Sequence, residues 1–175
     1  MPFLYLRAIA LIMIMFGCGF LGVFYSEKFH KRVLHLVDFQ NALNTFKFNV
    51  DFLESPLYEA LKNIATESSV VKKIFENISD KLRNFSNVRI DEIFKEIIHK
   101  FEEELFIKDE DVSILVEFSD KLGQGNKEHE INNINLALMK LKLSEEMARE
   151  EEKINQKLYR GIGFLVGIFI VILLV

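Results

Sequence analysis

Tryptophan is absent from this 175-residue chain, cysteine occurs once and proline twice. A single Cys excludes an internal disulfide framework. Of eight glycines only Gly123 and Gly125 lie between residues 26 and 160, and nothing in that stretch reads convincingly as a strand. No G-x-x-x-x-G-K-[ST] loop exists, so the chain is not itself a nucleotide hydrolase. His129-Glu130 opens an H-E-x-x-H zinc signature. That signature needs a second imidazole one turn on, and position 133 is Asn133. His99 with Glu102 and Glu103 shares a helical face, without a third or fourth ligand nearby. No catalytic, cofactor-binding or metal-ligating residue is assigned, and no cofactor.

Acidic residues are missing from both ends: all 26 Asp and Glu lie between two apolar segments, residues 3–25 and 161–175. In the first, residues 8–25 are 18 uncharged positions, close to the ~20 that a helix needs to cross a bilayer. The second has 15 residues and reaches about 22 Å. It spans once Leu158 and Tyr159 join it and Arg160 snorkels, which puts the segment at 158–175. Lys28, Lys31 and Arg32 follow the first segment, and Lys153, Lys157 and Arg160 precede the second. Flanking cations resist translocation. The expected arrangement is therefore a multi-pass membrane protein with residues 26–160 as a cytoplasmic domain. A cleaved lipoprotein signal ending at Gly17-Cys18 fits poorly, because Met15 and Phe16 are bulky where cleavage needs small or aliphatic residues.

The middle stretch is acidic, within a chain of net charge -4. That balance argues against nucleic acid or anionic lipid as a partner and is compatible with a basic protein. Its apolar residues recur at three- and four-residue spacings, the mark of amphipathic helices. The first membrane helix is expected to continue to residue 54 with Phe29, Val33, Leu36, Val37, Leu43, Phe46, Val50 and Leu53 inward. Ser55 and Pro56 then cap and start a short helix with Leu57, Leu61, Ile64 and Ala65. Further helices are expected over 69–85, 90–105 (Ile93, Phe94, Ile97, Ile98, Phe101) and 109–121 (Val112, Leu115, Val116, Phe118, then Leu122). Gly123-Gln124-Gly125-Asn126 is too short to cradle phosphates and reads as a helix-helix turn. From Lys127 one helix can run through Ile131, Ile134, Leu138, Leu141, Met147, Ile154 and Leu158 into the membrane. The expected fold is all-α, a membrane-anchored helical bundle whose first and last helices are continuous with the two anchors.

Two sets of positions are expected to make contacts. The corner Ser55, Pro56, Leu57 and Tyr58, and the turn Gly123, Gln124, Gly125, Asn126 and Lys127 with Glu130, stay free when the core is filled and are candidate interaction surfaces. Within the membrane, Cys18 with Gly22 and Gly163 with Gly167 have the four-residue spacing of small-residue packing faces.

Three stretches carry a family resemblance: Ser55-Pro56-Leu57-Tyr58-Glu59-Ala60-Leu61, then Leu122-Gly123-Gln124-Gly125-Asn126-Lys127-Glu128-His129-Glu130, and Gly163-Phe164-Leu165 with Gly167. In this order and spacing the chain resembles the stage III sporulation protein AB family of endospore-forming bacteria, itself distantly similar to inner-membrane platform proteins of type II secretion and type IV pilus systems. The family usually has an acidic residue at position 126 and an amide at 130, where this chain has Asn126 and Glu130. The resemblance implies a non-enzymatic part of the channel or export complex between mother cell and forespore. The protein would sit in the outer forespore membrane with its domain in the mother-cell cytoplasm. Implied partners are the stage III sporulation protein AA ATPase and other channel subunits of the same operon, with a homo-oligomer as a further option. The other class of reading is a membrane-anchored sensor module relaying a transmembrane change, which lacks a histidine in a kinase-like helix.

Overall fold

The computed structural model describes the backbone of residues 2–52, 57–64, 69–84 and 88–174, while most side chains before residue 24 lie outside that description. Six helices make up the described part: α1 (Pro2–Phe52), α2 (Leu57–Lys62), α3 (Ser69–Asn84), α4 (Ile90–Lys100), α5 (Asp109–Asp120) and α6 (Lys127–Leu174). No strand occurs among the described residues, so the all-α expectation holds. The chain divides into two compact units, Arg32–Met147 on the one hand and Met1–Lys31 with Ala148–Val175 on the other.

The Arg32–Met147 unit is a helical bundle in which α2 packs on α3, α3 on α4 and α4 on α5. All five apolar positions expected on the helix over 90–105 are buried, as are Val71, Ile74, Phe75 and Ile78 of α3. From α1 come Val33, Leu36, Phe39, Ala42, Leu43 and Phe46, of which Leu36, Phe39, Leu43 and Phe46 make the i, i+3, i+7, i+10 stripe of one helical face. Five phenylalanines form a chain through this core. Phe39 meets Phe75 at 6.1 Å, Phe75 meets Phe94 at 6.3 Å, Phe94 meets Phe118 at 6.3 Å and Phe118 meets Phe46 at 6.1 Å, all edge to face. Such pairs contribute about 0.5–1.5 kcal/mol each beyond their area. Both ends of the chain of rings lie on α1, so it ties α3, α4 and α5 to one long helix.

A buried ion pair makes a second tie. The Arg32 Nε donates to Asp111 Oδ2 at 3.0 Å and a terminal guanidinium nitrogen donates to Oδ1 at 3.2 Å; the two side chains are 7% and 1% exposed. Asp111 Oδ2 also accepts the backbone N–H of Lys108 at 2.9 Å, closing the first turn of α5. One carboxylate thus caps a helix and neutralises a guanidinium on another. Arg32 read from sequence as one of three cations flanking the membrane; in the fold it is committed to the bundle interior.

One sequence expectation is overturned by the structure. The helix expected over 90–105 ends at Lys100, and the chain tightens through Phe101→Ile98 and Glu102→His99 backbone bonds of the three-residue kind. The run Glu102-Glu103-Glu104 is the physical reason: three carboxylates oppose the negative end of the helix dipole. Phe101 and Leu105 still reach the core from the turn that follows. The helix expected from Lys127 is found as α6; along it Met147, Ile154 and Leu158 are exposed, while Ile134, Ala137, Leu141 and Ala148 carry the packing.

In the other unit the ends of α1 and α6 run antiparallel. Tyr25 stacks on Tyr159 with centroids 6.4 Å apart, Phe29 lies 5.9 Å from Tyr159, and His30 Nδ1 meets Glu152 at 2.8 Å. Beyond this collar large apolar side chains are uncovered, among them Phe20 at 72% and Leu173 at 71% exposure. One helix among the described residues, within Lys127–Leu173, is by length and composition apolar enough to cross a membrane.

Candidate functional site: the turn between α5 and α6

Gly123 stands just past the end of α5 with φ of +72°, the left-handed conformation that favours glycine after a helix. Its N–H donates to Glu130 Oε1 at 2.6 Å, so a side chain from the first turn of α6 reaches back and holds the turn. Asn126 caps α6: its Oδ1 accepts the backbone N–H of His129 at 3.0 Å. Gly125 is required by contact, since a Cβ there would stand 2.7 Å from the His129 Cβ. Gln124 donates to the Asp120 carbonyl, and Lys127 pairs with the Asp51 carboxylate at 3.1 Å, fixing the start of α6 against α1.

Both positions supply an acceptor oxygen in this geometry. A capping residue needs an acceptor oxygen, which Asn126 supplies as well as an aspartate. Position 130 needs an acceptor for the Gly123 N–H, which Glu130 supplies as well as a glutamine. The carboxylate nonetheless carries a cost, because its Oε2 is buried with no hydrogen-bond partner. Burial pushes the Glu130 pKa above its ordinary value, and the Gly123 N–H offsets only part of this. A carboxyl whose folded pKa is raised favours the fold most when protonated. This contribution is fully present below the ordinary value of 4.5 and is lost as the pH rises through the folded value. Glu130→Gln is accordingly expected to raise the neutral-pH melting temperature slightly and to flatten the gain seen on acidification toward pH 4.5, read by circular dichroism melts at several pH values.

Beside the turn lies an open cleft of about 500 Å³ lined by Lys121, Gln124, Gly125, His129, Asn132, Asn133 and Leu136. Asn133 is held by donation to the Phe118 carbonyl at 2.9 Å, so the wall toward α5 is set by the core. Donors, acceptors and one cation surround a single large apolar side chain, Leu136, a mixture found on peptide-binding surfaces. Among the described residues no cluster of three or more His, Cys, Asp or Glu is arranged to hold a metal.

The other expected contact residues are placed as follows. Ser55 and Pro56 lie outside the described residues. Leu57 and Tyr58 are half-buried in α2; the Tyr58 carbonyl accepts from Ser79 Oγ at 2.7 Å and its hydroxyl meets Glu59 at 3.2 Å. The corner and the turn are brought together by no described contact. Gly163 is half-buried and Gly167 buried, whereas the surroundings of Cys18 and Gly22 lie outside the description.

A second cleft of about 500 Å³, between α4 and α5, was not legible in the sequence. At its edge Arg89 bridges Asp91 at 3.0 Å and Asp120 at 2.9 Å. Burial would raise the Asp91 pKa, but the hydrogen bond and charge of Arg89, with Lys95 nearby, carry it below the usual range. Hydrogen bonds from Lys140 and Lys121 do the same for Glu117. These groups join residues 31 positions apart, a separation that local pattern does not report.

Residues 7–175 match the family described as Stage III sporulation protein AB. Stage III sporulation protein AB of Bacillus subtilis (strain 168) is 24% identical over 170 residues, 97% of this chain and 99% of that protein. A solved structure of Stage III sporulation protein AB superposes with a TM-score of 0.62, covering 71% of this chain and 98% of that one. At 21% identity the likeness speaks for the fold alone.

Proposed function

The chain belongs to the stage III sporulation protein AB family, and from that premise we propose that it is a non-enzymatic, membrane-anchored platform of the channel between mother cell and forespore, whose cytoplasmic helical domain docks a secretion-type ATPase. The observation that carries the membrane part is the antiparallel pairing of the two chain ends at Tyr25 and Tyr159, with large apolar side chains uncovered beyond it. Tyrosines favour the headgroup level of a bilayer, and uncovered apolar surface of this extent requires lipid or protein. Both anchors then belong to one hairpin in the outer forespore membrane. Residues 26–160 face the mother-cell cytoplasm, and small residues at Cys18, Gly22, Gly163 and Gly167 allow close packing of the spans.

The docking part rests on the family's likeness to secretion platforms and on the turn from Gly123 to Glu130, which is rigidly held yet exposed and opens beside a cleft. The expected partner is the stage III sporulation protein AA ATPase. Full chain in lipid nanodiscs, mixed with that ATPase at micromolar concentration, is expected to retain it on an affinity column. No retention with both proteins folded would refute the docking role.

A further inference from the structure

On the α6 surface turned away from the bundle core, Leu136, Met139, Leu143 and Met147 are all exposed, Met139 at 64% and Leu143 at 59%. Steps of three, four and four residues place them on one helical face. Core positions Ile134, Ala137, Leu141 and Ser144 face the opposite way, so the fold itself has no use for this stripe. It is the kind of uncovered apolar strip that marks an interaction surface, and two methionines make it adaptable to the shape of a partner. Its amino-terminal end, Leu136, opens into the cleft beside the turn.

Charge selects the occupant. The lysines beside the stripe are already engaged, Lys140 by Glu117 and Lys142 by Glu145 at 2.8 Å. Two carboxylates are not: Glu128 and Glu146 are exposed and make no ion pair or hydrogen bond among the described residues. Eighteen residues apart, they lie about five turns from one another on the same flank of the helix. A second copy of the chain would bring the same carboxylate-flanked face to the seam, where Lys140 and Lys142 are already engaged. We propose that this face takes an amphipathic helix of another protein, with an apolar ridge against Leu136, Met139, Leu143 and Met147 and lysines or arginines against Glu128 and Glu146. The proposal rests on the platform reading above and names the surface and chemistry through which a partner is held.

The test uses the full chain in nanodiscs of zwitterionic lipid and two labelled 18-residue helical peptides that share one leucine ridge, one with lysines and one with glutamates at the remaining positions. Anisotropy, corrected for empty nanodiscs, is expected to show the lysine peptide binding at least about tenfold more tightly, with the advantage shrinking in high salt. Leu143→Ser with Met147→Ser is expected to abolish binding, and Glu128→Lys with Glu146→Lys to reverse the peptide preference; all four positions are exposed, so the fold stays intact. Equal binding of the two peptides, binding indifferent to these variants, or a wild-type dimer that Leu143→Ser with Met147→Ser dissociates would each overturn the proposal. ATPase retention by the wild type is scored in parallel: if it persists while the peptide result fails, the surface assignment falls and the platform reading stands.

Discussion

Asp111→Ala is expected to lower the stability of the bundle by about 3–5 kcal/mol, the range for breaking a buried ion pair by removing one partner. Two losses add. The Arg32 guanidinium, 7% exposed, keeps its charge and loses the carboxylate that offset its desolvation. The Lys108 N–H loses its acceptor at the start of α5, a capping loss of about 1 kcal/mol by itself. Arg32→Ala with Asp111→Ala should be less damaging than the sum of the single changes, because both remove the same interaction and its loss is counted once. Arg32→Met with Asp111→Leu, which fills the space with apolar atoms, should recover most of the wild-type midpoint. Denaturant titrations followed by far-ultraviolet circular dichroism give all four values. An Asp111→Ala loss below about 1 kcal/mol would mean that the pair is solvated in solution and does not tie α1 to α5.

Phe94→Ala should cost as much by a different route. Phe94 is almost fully buried and is the central ring of five, in contact with Phe75 at 6.3 Å and Phe118 at 6.3 Å. Truncation removes the transfer energy of a benzyl group, both edge-to-face contacts and the filling of the space between α3 and α5. Phe-to-Ala changes in such positions cost about 3–5 kcal/mol. Phe94→Leu keeps much of the volume and should cost about 1–1.5 kcal/mol. Phe48→Ala, on the exposed side of α1, is the control and should fall within about 0.5 kcal/mol of wild type. Equal effects at Phe94 and Phe48 would show that the ring chain does not form the core. The same series bears on function, because the turn proposed to dock a partner hangs from Leu122 and Phe118, which belong to this core.

Most of the helices were legible because their burial pattern is local. Ile93, Phe94, Ile97 and Ile98 lie at spacings that only a helix turns to one side, and all four are buried. The turn at Gly123 was legible for the same reason: a glycine pair between two amphipathic runs meets the need for a positive φ, found at +72°. The end of α4 at Lys100 was not, because Phe101 and Leu105 continue the apolar spacing past the point where three glutamates stop the helix. On α6 the apolar spacing left open which positions face inward. Met147 fits the stripe drawn through Ile134 and Leu141, but only packing shows that the inward face continues through Ser144, Glu145 and Ala148 and leaves Met147 out.

Sequence by itself determined that this chain is helical, that acidic charge is confined to its middle and that its ends are apolar, since propensity, periodicity and composition act between neighbours a few residues apart. Tertiary structure decided what those residues do. It took Arg32 from the row of cations beside the apolar segment into a pair with Asp111, 79 residues away. It turned Glu130 back to hold Gly123, and it left one face of α6 uncovered. Those outcomes depend on which helix faces meet, and the interaction energies that choose between them act across separations that a local pattern does not encode.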